Sequence, residues 1–203
     1  MGDGRKFRIA LIGSRSLHKN INNHKYIPLC ERVCYRLATL GVTFTSGLCK
    51  EGMDAIAQLA YSQAVIDRKA SYSQFEVYVA NKKQIDQSRL PNKHLSKVLN
   101  STLKTEIEII ASKLHGNWNN CNNFAKEMHM RNIHQILGYD LKHPVNAVIT
   151  WCDVDNYGQP IGGTRTALNL AKAHNISIFN LNSPNYKDVL LQIRDFLKFN
   201  KII

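Results

Sequence analysis

Three separated stretches of this 203-residue sequence combine the residue types that hold a phosphate. Gly13-Ser14-Arg15 offers a backbone that can approach a ligand closely, a hydroxyl, and a planar fork of N–H donors. Ser46-Gly47 supplies a second hydroxyl beside a second glycine, and Gly162-Gly163-Thr164-Arg165 repeats the set with a glycine pair. Where such a stretch lies between a strand and a helix, its N–H groups and the positive end of the helix dipole favour an anion. Two acids, Asp54 and Glu127, are the candidates for any proton transfer at such a site; a catalytic role for either is otherwise unknown. Asp54 falls in the first turn of a helix, where a carboxylate also complements the dipole.

These stretches are positioned by strands and helices that alternate along the chain. Phe7 to Ile12, Val42 to Thr45, Phe75 to Ala80, Asn146 to Trp151 and Ile176 to Leu181 are short apolar or β-branched runs that read as strands. Apolar residues at helical spacing fill His24 or Pro28 to Leu40, Met53 to Ile66 and Tyr186 to Phe199, and a further helix runs from Thr166 through Ala173. The expected fold is α/β: a Rossmann-like, doubly wound, mainly parallel sheet of about five strands with helices on both faces. In such a sheet the glycine turns sit side by side at the carboxyl ends of the strands, where ligands bind. The chain reads as one domain, 1–203, with a polar insertion after the third strand at about 81–123 that contains one helical segment near Leu103 to Leu114. Trp118 within it reads as a packing anchor or a base-stacking residue. The helix from Asn123 to Gly138 carries Arg131 and Asn132 between apolar neighbours, which leaves two readings: polar groups aimed at the crevice, or an exposed polar face. Asp153 and Asp155 read as residues that begin a turn.

Composition narrows the partners. Lys and Arg total 27 against 15 Asp and Glu, a formal net charge of +12, which suits polyanions. The first residues lack the apolar segment of a signal peptide, and no apolar run approaches membrane-spanning length, so a soluble, cytoplasmic protein without a membrane partner is expected. The five cysteines and eight histidines show no C-x-x-C or H-x-x-x-H spacing, so no metal is expected, and no cofactor either. Cys30 and Cys34, one turn apart, read as small apolar residues on a buried helix face.

Ile9-Ala10-Leu11-Ile12-Gly13-Ser14-Arg15, Ser46-Gly47-Leu48 with Gly52-Met53-Asp54-Ala55-Ile56-Ala57, and Gly162-Gly163-Thr164 together resemble the Rossmann-like core of the DprA/Smf group and the wider SLOG superfamily. The motifs occur in the right order across most of the chain outside the insertion. With Trp151 and Asn180-Leu181 added, the pattern is most similar to compact DprA-like proteins encoded by bacteriophages. The resemblance implies a nucleotide or single-stranded nucleic acid such as DNA, bound at the glycine turns. The enzyme branch of the superfamily, the LOG-type phosphoribohydrolases, carries G-G-x-G-T-x-x-E; laid over Gly162 to Asn169, it finds Arg165 for the third glycine and Asn169 for the glutamate. An amide cannot serve as the carboxylate that N-glycosidic cleavage requires. Three readings follow: a nucleotide or single-stranded nucleic acid binder, a nucleoside 5'-monophosphate N-glycosidase, and a sensor or sequestering protein for a nucleotide-derived signal. Homo-oligomerisation is left open.

Overall fold

The computed structural model of the protein describes residues 6–203. Met1 to Arg5, part of the polar start read above, lie outside the described residues.

In chain order the elements are β1 (Arg8–Gly13), α1 (Ser16–Lys19), α2 (Ile27–Thr39), β2 (Thr43–Ser46), α3 (Met53–Ile66), β3 (Phe75–Val79), α4 (Lys82–Asp86), β4 (Ser96–Val98), α5 (Lys104–Leu114), α6 (Asn123–Leu137), β5 (Ala147–Trp151), α7 (Thr164–Ala173), β6 (Ser177–Asn180) and α8 (Tyr186–Phe199). The strands form a single sheet in the order β4-β3-β2-β1-β5-β6, and every pairing is parallel. This is the α/β, Rossmann-like arrangement expected from the alternating pattern, with six strands where five were expected. Successive strands step outward from β1 to β4; the chain then crosses back, and β5 pairs with the other edge of β1, Leu11 opposite Ile149 and Gly13 opposite Trp151.

Side chains alternate across this sheet as its pleat requires. Ile9, Leu11, Phe44, Ile149 and Trp151 face a core closed by α2, α3 and α8. Ala10, Ile12 and Val148 face a second core closed by α5, α6 and α7. Cys30 and Cys34 lie fully buried in the first core, as small apolar residues.

The sixth strand comes from the segment expected to be an insertion. Ser96-Lys97-Val98 pairs with Val77-Tyr78-Val79, and Ile107 and Ala111 of α5 are fully buried in the second core. A three-residue edge strand with an exposed lysine carries too little apolar pattern to read from sequence, and short charged edges are how sheets avoid pairing with other chains. No helix among the described residues is long and apolar enough to cross a membrane.

Candidate functional site

The carboxyl ends of β1, β2 and β5 lie side by side at the point where strand order reverses. Ser14, just past β1, donates its N–H to the Trp151 carbonyl at the end of β5 (2.9 Å). Its hydroxyl meets Ser16 Oγ (2.8 Å), and Ser16 Oγ donates to Asp153 Oδ2 (2.7 Å). The Asp153 carbonyl in turn accepts from Ile161 N (2.9 Å), the residue before Gly162. The first and third glycine stretches are therefore joined by one chain of hydrogen bonds through Asp153.

Asp153 to Ile161 forms a small hairpin closed by a Val154–Pro160 bridge. Asp155 does begin its turn, accepting from Tyr157 N and Gln159 N (both 2.9 Å), and Tyr157 at the tip is 89 % exposed. Arg165 is tied into the same hairpin, donating to the Pro160 carbonyl (2.6 Å) and lying 3.4 Å from Asp155 Oδ2. Gly162 and Gly163 have open space where a Cβ would stand, and Gly162 has φ +77°, which favours glycine. Thr164 is buried at the start of α7.

The second stretch meets the first at Gly52, where an added Cβ would touch the Ser14 carbonyl at 2.7 Å. Gly52 N–H donates to His18 Nδ1 (2.9 Å), a contact that sequence spacing did not reveal. Gly13 lies under Met53 and the Trp151 carbonyl, each 2.6 Å from an added Cβ. Arg15 is exposed, and among the described residues its guanidinium has no hydrogen-bond or ion-pair partner; Lys50 is exposed on the neighbouring turn.

Asp54 and Arg131 meet below this surface. Arg131 Nη1 lies 3.0 Å from Asp54 Oδ2, and each residue is only 4 % exposed. Asp54 also accepts from Cys49 N (3.2 Å) and lies 3.4 Å from Ser46 Oγ, whose single proton goes to the Leu11 carbonyl (2.8 Å). Burial works against the Arg131 charge, but Asp54 and then Cys49 outweigh it and hold the guanidinium protonated. Burial, and then Asp54, pushes the Cys49 thiol up to about 11, so at neutral pH it is not a thiolate nucleophile. The pair stacks directly on Gly47, whose missing side chain makes room for it. Gln135, with its amide oriented as its surroundings require, accepts from Gly47 N (2.8 Å) and Arg131 Nη1 (3.2 Å) and donates to Asn132 (2.9 Å). Asn132 then donates to the Gly163 carbonyl (3.0 Å), which ties α6 to the third stretch.

Of the two readings open for Arg131 and Asn132, the exposed face is thus excluded: both are buried, and both contact the strand-end turns. Glu127, one helical turn before Arg131, is half-buried and accepts from Asn81 Nδ2 (2.7 Å) at the end of β3. Asn169 approaches the Leu114 carbonyl of α5 (3.4 Å).

Neither α3 nor α7 has a side-chain N-cap, and at the start of α7 the Arg165 N–H turns back to the Gly162 carbonyl (3.1 Å). With Arg15 and Lys50 exposed beside them, the surface is suited to an anion more than to acid–base chemistry. A further cluster, His115, Cys121 and His129, gathers between α6 and the loop that follows α5, although spacings of six and eight residues gave no sign of it. Comparisons with protein-family models, with curated proteins and with solved structures find no match to this chain.

Proposed function

We propose that the protein binds a nucleotide or a single-stranded nucleic acid by its phosphates at the carboxyl rim of the sheet, in the manner of the DprA-like group its motifs resemble. The observation that carries the reading is the joining of two glycine stretches, one on each side of the strand-order reversal, through Ser14, Ser16, Asp153 and Ile161. Open α/β sheets bind ligands at that reversal. The starts of α3 and α7, without side-chain caps, and the exposed Arg15 and Lys50 supply a positive dipole end and charge of the right sign. The net charge of +12 adds long-range attraction for a polyanion.

The test is a titration of the purified chain with nucleoside monophosphates and with short single-stranded DNA at two salt concentrations. If three phosphates of a strand are contacted, affinity should fall about 20-fold between 50 and 200 mM salt, and Arg15→Ala should both weaken binding and flatten that dependence. Absence of binding to either ligand class, or an Arg15→Ala chain that binds as tightly, refutes the assignment. Release of free base from a nucleoside monophosphate, lost in Glu127→Gln, would move it to hydrolysis instead. A nucleotide that survives purification on the protein would favour the sensor reading.

A further inference from the structure

We propose that His115, Cys121 and His129 bind a zinc-class divalent transition ion. The three side chains come from the residue after α5, from the loop that follows it, and from the middle of α6, and their ligand atoms all lie within 4.8 Å of one another. Metal–sulfur and metal–nitrogen bonds of about 2.3 and 2.0–2.1 Å at a tetrahedral centre place sulfur and nitrogen about 3.6 Å apart. Cys121 Sγ lies 3.7 Å from His115 Nδ1 and 3.9 Å from Nε2, near the required separation, and rotation of the ring about χ2 would aim one nitrogen at an ion shared with the sulfur. The His115 and His129 rings approach to 4.2 Å between centroids, with no carboxylate in the cluster to balance two imidazoles if they were protonated.

The surroundings orient these ligands. His129 is buried, and its Nδ1 lies 2.9 Å from Thr166 Oγ1. With Nδ1–H donating to that hydroxyl, Nε2 keeps its lone pair, which is the outer hydrogen bond that fixes the tautomer of a ligating histidine. Trp118 packs edge-on or tilted against both rings, at 6.3 and 6.4 Å, and shields one side. Coordination through His115 Nδ1 replaces a long contact from the Asn117 N–H (3.3 Å). A surface cleft of about 320 Å³ borders His115, Asn117 and Trp118, so the His115 side of the cluster lies close to solvent. Two imidazoles and a thiolate select zinc, cobalt or a similar ion over magnesium or calcium, which prefer oxygen. The ion would clamp the 115–121 loop to α6, two residues before Arg131. This site shares α6 and the first turn of α7 with the rim, but its test does not depend on nucleotide binding.

The chelator-stripped, full-length protein is titrated with cobalt(II). One equivalent should produce the ligand-field bands of a four-coordinate centre and a thiolate-to-cobalt charge-transfer band, and zinc should abolish both. Cys121→Ala should remove the charge-transfer band, Thr166→Val should weaken affinity 10- to 100-fold, and His174→Gln, at an exposed histidine beyond α7, should change nothing. The wild-type titration needs no variant to fold. Absence of the charge-transfer band, its persistence in Cys121→Ala, or its loss in His174→Gln overturns the proposal.

Discussion

Alanine at position 47 isolates what the second glycine does. An added Cβ would lie 1.5 Å from Arg131 Nη1, 2.7 Å from Cζ and 2.3 Å from Asp54 Oδ2, where ordinary contact begins near 3.4 Å. The guanidinium must therefore withdraw by about 2 Å, which breaks its 3.0 Å contact with Asp54. A buried carboxylate that loses its charge partner costs about 3–5 kcal/mol. Gly47 has no positive φ, so backbone strain adds nothing and the effect should pass through the Arg131–Asp54 pair. Equilibrium urea unfolding reads this as a midpoint lowered by roughly 1–5 M, from a slope of about 1–3 kcal/mol per molar. In an Arg131→Ala background the guanidinium clash is gone while the 2.3 Å approach to Asp54 Oδ2 remains, so Gly47→Ala should cost less there than in the native chain, the difference being a coupling of the size that residues in direct contact show. A single substitution that costs under about 1 kcal/mol, or one that costs as much with Arg131 removed, refutes the reasoning and returns Gly47 to the role of an open ligand-facing turn.

Three further outcomes are expected. Ile107→Ala should destabilise by about 2–5 kcal/mol, because Ile107 is fully buried in the second core; a cost below about 1 kcal/mol would mean that 81–123 is only appended to the domain. His134 is held neutral by burial, with Nδ1 against the Gly138 carbonyl (3.0 Å) and Nε2 accepting from Asn100 N (3.2 Å); a ring N–H at Nε2 would face that donor. Its folded pKa lies below the unfolded value of about 6.5, so its contribution is present above that pH and is lost as pH falls below it. Urea midpoints at pH 7.5 and 5 should differ in the native chain and differ less in His134→Gln; equal slopes in the two would refute the assignment. Lys50→Ala should weaken oligonucleotide binding more at low salt than at high salt, read by fluorescence anisotropy, because an exposed cation acts through screened attraction.

The strands of the sheet's centre were legible because burial on both faces demands continuous apolar runs, as in Ile9 to Ile12 and Ala147 to Trp151. The bounds of α3 and α8 followed from helical spacing, Met53 to Ile66 and Tyr186 to Phe199. β4 escaped because an exposed three-residue edge needs no such run. Gly47 was read as part of a phosphate-holding turn, but a sequence cannot say what fills the space beside a glycine, and the occupant is a guanidinium from a residue 84 positions away. The three cluster residues escaped for a related reason: their meeting depends on how α5 and α6 fold back on each other, not on a repeat along one helix.

The most unusual element is α6. Amphipathic surface helices separate polar from apolar residues, yet from His129 to Leu137 every residue of α6 is buried, polar ones included. The polar residues reach different neighbours: His129 to Thr166 on α7, Arg131 to Asp54 on α3, Asn132 to Gly163, His134 to Asn100 beyond β4, and Gln135 to Gly47 after β2. Apolar side chains of similar volume at these positions would fill the same space without the desolvation cost that a buried ion pair carries. They would not fix direction, because dispersion contacts tolerate sliding whereas a hydrogen bond fails within a fraction of an ångström. Two of these contacts, at Gly47 and Gly163, end on the turns that form the rim. Rotation or sliding of α6 would therefore shift both turns together, which makes this helix the element that sets the geometry of the rim and explains why its polar residues are spent inside the protein.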